Sequence, residues 1–223
     1  RGSRTEAVVV VATVEDGAFR GRGECVPYAR YGETVESVTA ALEEQAEWIA
    51  GRGGRFDLAG RMRPGAARNA LDCALWDLEA KRTGRPAYEL ADVAAPVPVT
   101  TAYTLSLGDP EAMEEAARRA AHRPLLKVKL GGRGDPERIA AVRRGAPESR
   151  LIVDANEAWT PETIRDNLLA CAAAGVALIE QPLPAGEDGL LAEIDRTLPI
   201  CADERLHDRA GLDALAERYD AIN

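Results

Sequence analysis

The chain has 223 residues, 46% of them hydrophobic, enough for one large domain or two smaller ones with cores of their own. A formal net charge of −9 and a pI near 4.9 argue against nucleic acid or an anionic membrane as partner. No apolar run reaches membrane-spanning length and nothing at the start resembles a signal peptide; Cys25, Cys73, Cys171 and Cys201 show no C-x-x-C spacing, so they read as reduced, mostly buried thiols of a cytoplasmic protein.

In chain order, the β-branched run inside 6–15 and the segment 19–26 flank Asp16-Gly17, the signature of a hairpin. Residues 27–33 carry turn residues and two tyrosines without periodicity and read as an ordered loop. Thr34 is placed to cap a helix running to about 50, with Gly51 to Gly54 breaking the chain. A second helix is expected over 64–82, with Ala70, Cys73, Ala74 and Leu78 among its apolar positions and Gly84 as its stop. Pro96 and Pro98 mark the boundary between an α+β domain, 1–95, and a second domain of different pattern.

From Val97 the pattern becomes strand, helix, strand. Strands are expected near 97–105, 125–130, 150–154, 177–181 and 199–203, with a sixth starting at Tyr219. Helices are expected near 110–122, 135–146, 161–174, 188–195 and 208–217. The fold class is therefore α/β, with 96–223 forming about five βα units of a TIM-type (β/α) barrel. Five parallel strands do not close a barrel, and the chain starts at Arg1 and stops at Asn223 inside an expected strand. The expectation is a piece of a longer protein.

Ionisable residues stand at the ends of these apolar runs. A parallel strand covered on both faces is apolar along its length, and the C-terminal ends of barrel strands are where active sites form. Asp154, Glu180 and Asp203 sit at three consecutive strand ends, 26 and 23 residues apart. Any one alone reads as a helix N-cap. Three at equivalent positions read as an oxygen cage for a hard divalent cation, Mg²⁺. Asn156 and Glu204 stand beside them as hydrogen-bond supports, Glu204 either toward a neighbouring lysine or toward solvent. Lys127 and Lys129 are two apart, so both project to one face of their strand. The bland reading is a pair of solvated lysines on an edge, but Leu125, Leu126, Val128 and Leu130 around them argue against an edge. Two partly desolvated ammonium groups depress each other's pKa, and a lysine so tuned takes a proton near neutral pH. Thr100, Thr101 and Thr104 are ordinary strand residues, Trp159 reads as a packing residue and Gly131-Gly132 as a turn. The two histidines, His122 and His207, are too far apart to build a site alone, and no phosphate-binding glycine motif is present.

Together, Lys127-Val128-Lys129, the run from Asp154 to Trp159, Glu180-Gln181-Pro182-Leu183-Pro184 and Ala202-Asp203-Glu204 resemble the enolase superfamily, muconate-lactonizing subgroup. The stretch from Gly23 to Glu33 is similar to the specificity loop of dipeptide epimerases that act on L-Ala-D/L-Glu. The resemblance implies a capping domain over 1–95 and Mg²⁺ on Asp154, Glu180 and Asp203. It also implies that Lys129 is an acid/base, with Lys127 beside it lowering its pKa. It further implies substrate contacts from Thr104, from Tyr28 and Arg30 in the loop, and from an N-terminal arginine, Arg1 or Arg4. The family's second catalytic lysine would lie two residues past an Ile-Asn like Ile222-Asn223. The expected partner is a small carboxylate or dipeptide from cell-wall peptide metabolism, with neither nucleic acid nor membrane; a homo-oligomer is left open. The expected reaction removes the proton next to a carboxylate through an enediolate and returns it on the other face. Two other readings stand beside it: a cycloisomerase or o-succinylbenzoate-synthase-type enzyme with the same machinery, and a non-catalytic barrel that binds small anions.

Overall fold

A computed structural model describes residues 5–223, so Arg1 and Arg4, the arginines expected near substrate, lie outside the described residues. The chain divides into two compact units, one ending at Pro98 and the other beginning at Val99.

In the first unit, β1 (Val10–Asp16) and β2 (Phe19–Cys25) pair antiparallel, from Val10 opposite Cys25 to Asp16 opposite Phe19, with Gly17 at φ 61° in the tight turn. Thr34 starts α1 (Val35–Glu43) with a capping box: its hydroxyl accepts from the Ser37 N–H at 3.1 Å, and Ser37 Oγ accepts from the Thr34 N–H at 2.9 Å. The single helix expected to run to about 50 is interrupted, and α2 (Ala46–Ala50) forms separately. At the break the Gln45 N–H bonds to Leu42, one residue short of the helical partner. Its buried amide oxygen accepts from Arg61 Nε at 2.6 Å.

Next come α3 (Arg55–Arg61), α4 (Ala66–Thr83) and the short α5 (Ala87–Leu90). Helix α3 has no signal in the sequence, because Leu58 is its one buried side chain and a single apolar residue has no period. Helix α4 lays Ala70, Leu71, Ala74, Leu75 and Leu78 on the hairpin and ends at Gly84 in the left-handed region, φ 69°. Cys73, expected among its apolar positions, is exposed, whereas Cys25, Cys171 and Cys201 are buried and all four thiols are free.

Small residues on both sides set the spacing here. A Cβ at Gly23 would run into the Ala70 carbonyl oxygen, and one at Gly21 into that of Ala74. Gly23→Ala is therefore expected to destabilise the unit by about 2–3 kcal/mol through overpacking. Gly60→Ala, in α3 with open space around it, should stabilise by about 0.5–1 kcal/mol. Thermal unfolding of the two variants side by side checks both signs.

In the second unit six strands lie parallel in sequential order: β3 (Tyr103–Leu105), β4 (Leu125–Lys129), β5 (Arg150–Asp154), β6 (Val176–Glu180), β7 (Ile200–Ala202) and β8 (Ala221–Ile222). Helices α6 (Pro110–Ala120), α7 (Asp135–Gly145), α8 (Ile164–Ala173) and α9 (Leu212–Leu215) connect them. Leu126, Val128, Leu151, Val153, Ile179, Ile200 and Ala202 join the same buried core as Met113, Ile139, Val142, Ile164 and Leu168 of the helices.

Three expected elements shrink. The strand expected over 97–105 survives only as β3; before it Pro96 and Pro98 lack N–H donors, and Val97 and Val99 are exposed. The helix expected over 188–195 is a 3₁₀ turn, Gly189–Ala192. Asp188 makes no cap there because its carboxylate is taken by Tyr219 and Arg218. The helix expected over 208–217 breaks at Gly211 into a 3₁₀ turn, Arg209–Gly211, and α9. No helix among the described residues is long and apolar enough to cross a membrane.

Candidate active site

Strand register assembles the site. Lys129, Asp154 and Glu180 lie level across β4, β5 and β6, so the pleat turns all three to the same face. Lys127 lies two residues earlier, level with Ile152, while Leu126 and Val128 alternate into the core. Cys201 is level with Glu180 on β7, and Asp203 lies two residues further on.

Asp154 is 1% exposed and Glu180 5% exposed, burial that a carboxylate tolerates only when paired. Asp154 Oδ2 accepts from Lys129 Nζ at 2.6 Å and pairs with Lys127 Nζ at 3.0 Å, while its Oδ1 accepts from the Asn156 N–H at 3.0 Å. Glu180 Oε2 stands 2.6 Å from Lys127 Nζ, and its Oε1 accepts from Asn223 Nδ2 at 2.9 Å. Lys129 also donates to Asn156 Oδ1 at 2.8 Å, and Asn156 Nδ2 donates to Glu204 Oε1 at 3.0 Å. Glu204 thus reaches Asn156 rather than a lysine. Asp203 lies close enough to Glu180 for the two carboxyl groups to interact.

These contacts set the charges. Burial pushes the Asp203 carboxyl up to about 6, and the neighbouring Glu204, Glu180 and Asp154 push the same way. Burial would also raise Asp154, but the hydrogen bonds from Lys129 and Lys127 outweigh it and hold that carboxyl below its usual range. The expectation that the paired lysines depress each other fails at Lys127. Burial lowers its pKa, but Glu180 and Asp154 win and the ammonium is held above its ordinary value. The spacing in the sequence shows the like charge and hides the carboxylates that interleave with the lysines. Lys127 Nζ stands between Asp154 and Glu180, and among the described residues no three acidic, His or Cys side chains close around a common centre.

The backbone carries strain at this end of the sheet. Asn156, Glu157 and Gln181 have φ of 42°, 67° and 36°, a region that non-glycine residues rarely adopt and that clusters at functional sites.

Two family descriptions cover the chain: "Mandelate racemase / muconate lactonizing enzyme, N-terminal domain" matches residues 1–91, and "Enolase C-terminal domain-like" matches 111–221. The chain belongs to the enolase superfamily. Among relatives of this enolase-superfamily chain, an L-Ala-D/L-Glu epimerase from Escherichia coli (strain K12) is 44% identical over 225 residues, covering 100% of this chain and 70% of that protein. An N-acetyl-D-glutamate racemase from Pseudoalteromonas sp is 40% identical over 219 residues, covering 96% of this chain and 69% of the relative. A crystal structure of an enolase family member from Agrobacterium tumefaciens, described as homologous to dipeptide epimerases and holding sodium and L-Ala-L-Glu, superposes with a TM-score of 0.94 at 51% identity, covering 100% of this chain and 68% of its own.

The remaining positions expected to act in this superfamily member are Thr104 in the second unit and Tyr28 and Arg30 in the first. Thr104 is exposed on β3, level with Lys127, and borders a cavity of about 300 Å³ with Tyr103, Arg119, His122 and Arg123. Tyr28 and Arg30 lie in the first unit. The Tyr28 ring is 6.2 Å from that of Tyr31, and the Arg30 guanidinium is 6.0 Å from the Tyr31 ring. Trp159 is buried, as expected, and donates from Nε1 to Asp135 at 2.9 Å.

Sequence reasoning missed several polar residues that hold these segments. Glu33 accepts from the Tyr28 N–H at 3.1 Å and from the Ala66 N–H at 2.6 Å, so it ties the loop to the positive end of α4. Its carboxylate packs where Gly65, at φ 149°, has no side chain. Asp135, 1% exposed, accepts from the Gly131 and Gly132 amides just after Lys129, from Trp159 and from Arg138. Gln181 is fully buried between Glu180 and Asp203. The one signal available for these was a polar residue inside an otherwise apolar or turn segment.

Proposed function

We propose that this chain carries the metal-binding and proton-abstracting half of a Mg²⁺-dependent dipeptide epimerase whose substrate is an N-acylated glutamate, L-Ala-D/L-Glu foremost. The observation that carries this reading is the row Lys129, Asp154, Glu180, an amine and two buried carboxylates level at the ends of adjacent parallel strands. The relatives narrow the substrate. Those acting on L-Ala-D/L-Glu and on N-acetyl-D-glutamate, and the structure holding L-Ala-L-Glu, share a glutamate with an acylated nitrogen and a free α-carboxylate.

The donor set fits a hard divalent cation. Asp154, Glu180 and Asp203 offer oxygen only, the donor type that a hard divalent cation takes. Bound there, Mg²⁺ would supply positive charge to the substrate carboxylate, which becomes more negative as the α-proton leaves. Lys129 as a free amine takes that proton. The Cα–H bond breaks, its electron pair moves into the carboxylate as an enediolate, and Nζ becomes an ammonium. A base on the opposite face then returns a proton for the configuration to invert. Asn156 and Asp154 aim the Lys129 nitrogen, and Lys127 keeps positive charge between Asp154 and Glu180. Thr104, Tyr28, Arg30 and an N-terminal arginine, Arg1 or Arg4, complete the proposal as substrate contacts.

The sequential order of six parallel strands is that of a TIM-barrel wall, with 96–223 as part of the barrel and 1–95 as its capping domain. A cytoplasmic place in cell-wall peptide metabolism belongs to the same proposal.

The test is incubation of the full-length protein with L-Ala-L-Glu and Mg²⁺ in D₂O. Deuterium at the glutamate α-carbon together with L-Ala-D-Glu is expected. Turnover of no N-acylglutamate, with turnover of muconate or an o-succinylbenzoate precursor, overturns the reading in favour of the sister chemistry.

A further inference from the structure

Gln181 fills all four of its amide hydrogen-bonding positions, two of them with the segment that presents Asp203. Its Oε1 accepts from the Asp203 and Arg205 N–H groups, each at 3.0 Å. Its Nε2 donates to the Leu183 carbonyl at 2.8 Å and to Tyr219 Oη at 3.0 Å. Tyr219 passes the link on, donating to Asp188 Oδ2 at 2.8 Å. Asp188 is fully buried; its Oδ1 accepts from Arg218 at 2.8 Å and its Oδ2 pairs with Arg205 at 3.3 Å. The ring closes on itself, because Arg205 meets Gln181 through its backbone and Asp188 through its side chain.

A packing residue explains none of this. An apolar side chain of the same volume would fill the space and leave the Asp203 and Arg205 amides and the Leu183 carbonyl without these partners. The backbone also holds a positive φ at Gln181, a conformation kept only where surrounding contacts overdetermine it. Asp203 needs such support more than the other two carboxylates. Asp154 and Glu180 end regular strands, whereas Asp203 lies past the end of β7 in a turn fixed by the Leu206 N–H to the Asp203 carbonyl at 3.0 Å. The residue directly after Glu180 in the chain thus holds the backbone of Asp203, 22 positions later.

We propose that Gln181 and Tyr219, anchored on Asp188, are positioning residues that orient the Asp203 carboxylate for the divalent cation. This rests on the metal site described under the proposed function. Supports that aim a ligand are worth about 10- to 100-fold in metal affinity.

The experiment measures Mg²⁺ binding by titration calorimetry at 10 °C, with thermal unfolding in parallel, for full-length wild type, Gln181→Met and Tyr219→Phe. Gln181→Met should bind Mg²⁺ about 10- to 100-fold more weakly. Tyr219→Phe, which removes the hydrogen bond from Gln181 Nε2 and the one to the Asp188 carboxylate, should bind about 5-fold more weakly. A purely structural role lowers the unfolding temperature and leaves the affinity of the folded protein unmoved. Wild-type affinity in folded Gln181→Met overturns the positioning role. Tyr219→Phe decides in the same way if the methionine variant does not fold. Absence of Mg²⁺ binding in wild type overturns the metal reading itself, and the proposal with it.

Discussion

Lys129→Ala in the full-length protein should abolish epimerisation in both directions while removing α-proton exchange from only one of the two epimers. A site that inverts configuration has a base on each face of the α-carbon, and each base meets the proton of one epimer. Removing one base leaves the other able to take and return a proton on its own face. Loss of a positioned acid/base costs about 10²- to 10⁴-fold in rate. The measurement is deuterium at the glutamate α-carbon of recovered L-Ala-L-Glu and L-Ala-D-Glu, each incubated separately in D₂O with Mg²⁺. Equal loss from both epimers in a folded variant would show that Lys129 acts on the site as a whole. Unchanged exchange from both would remove it from the chemistry.

Asp154→Asn should have the largest effect on stability and on metal binding together. Its Oδ2 is 2.6 Å from Lys129 Nζ and 3.0 Å from Lys127 Nζ, and the group is 1% exposed. Breaking a buried charge pair by removing one partner costs about 3–5 kcal/mol. The side chains of Lys127 and Lys129 keep 22% and 28% of their surface in contact with solvent, so about 3 kcal/mol is expected. At about 2–4 °C per kcal/mol the unfolding midpoint falls by about 6–12 °C without Mg²⁺. Adding Mg²⁺ should raise the wild-type midpoint and leave that of the variant in place, because only a cation bound to the folded state shifts it. An equal Mg²⁺ response in both proteins would take Asp154 out of the ligand set.

The βα alternation, the hairpin at Asp16-Gly17, the Thr34 cap and the Gly84 stop could be read directly, because each rests on a period or on a residue type that local backbone sterics select. The same holds for Lys127, Lys129, Asp154 and Glu180: ionisable residues stand out in apolar strands, and a period of two says which share a face. Helix α3 could not be read, since Leu58 is its one buried side chain, nor could the break at Gln45, whose side chain pairs with Arg61, 16 residues away. The shortened helix near 188 failed for a related reason, as the Asp188 carboxylate was spent on Arg218 and Tyr219, far along the chain.

The sign of the Lys127 shift shows the same division. Two lysines two residues apart imply mutual repulsion. The sheet register then brings Asp154 and Glu180 to within 3.0 Å and 2.6 Å of Lys127 Nζ, and attraction prevails. By itself the sequence determined which residues carry charge, which strand ends they occupy and which family they belong to. These properties depend on residue type and near-neighbour spacing. Only the tertiary structure decided who neutralises whom, that Glu204 reaches Asn156, and that Gln181 holds the Asp203 segment. Electrostatic and hydrogen-bond partners are chosen by distance in space, and the distance across a sheet is set by packing and register.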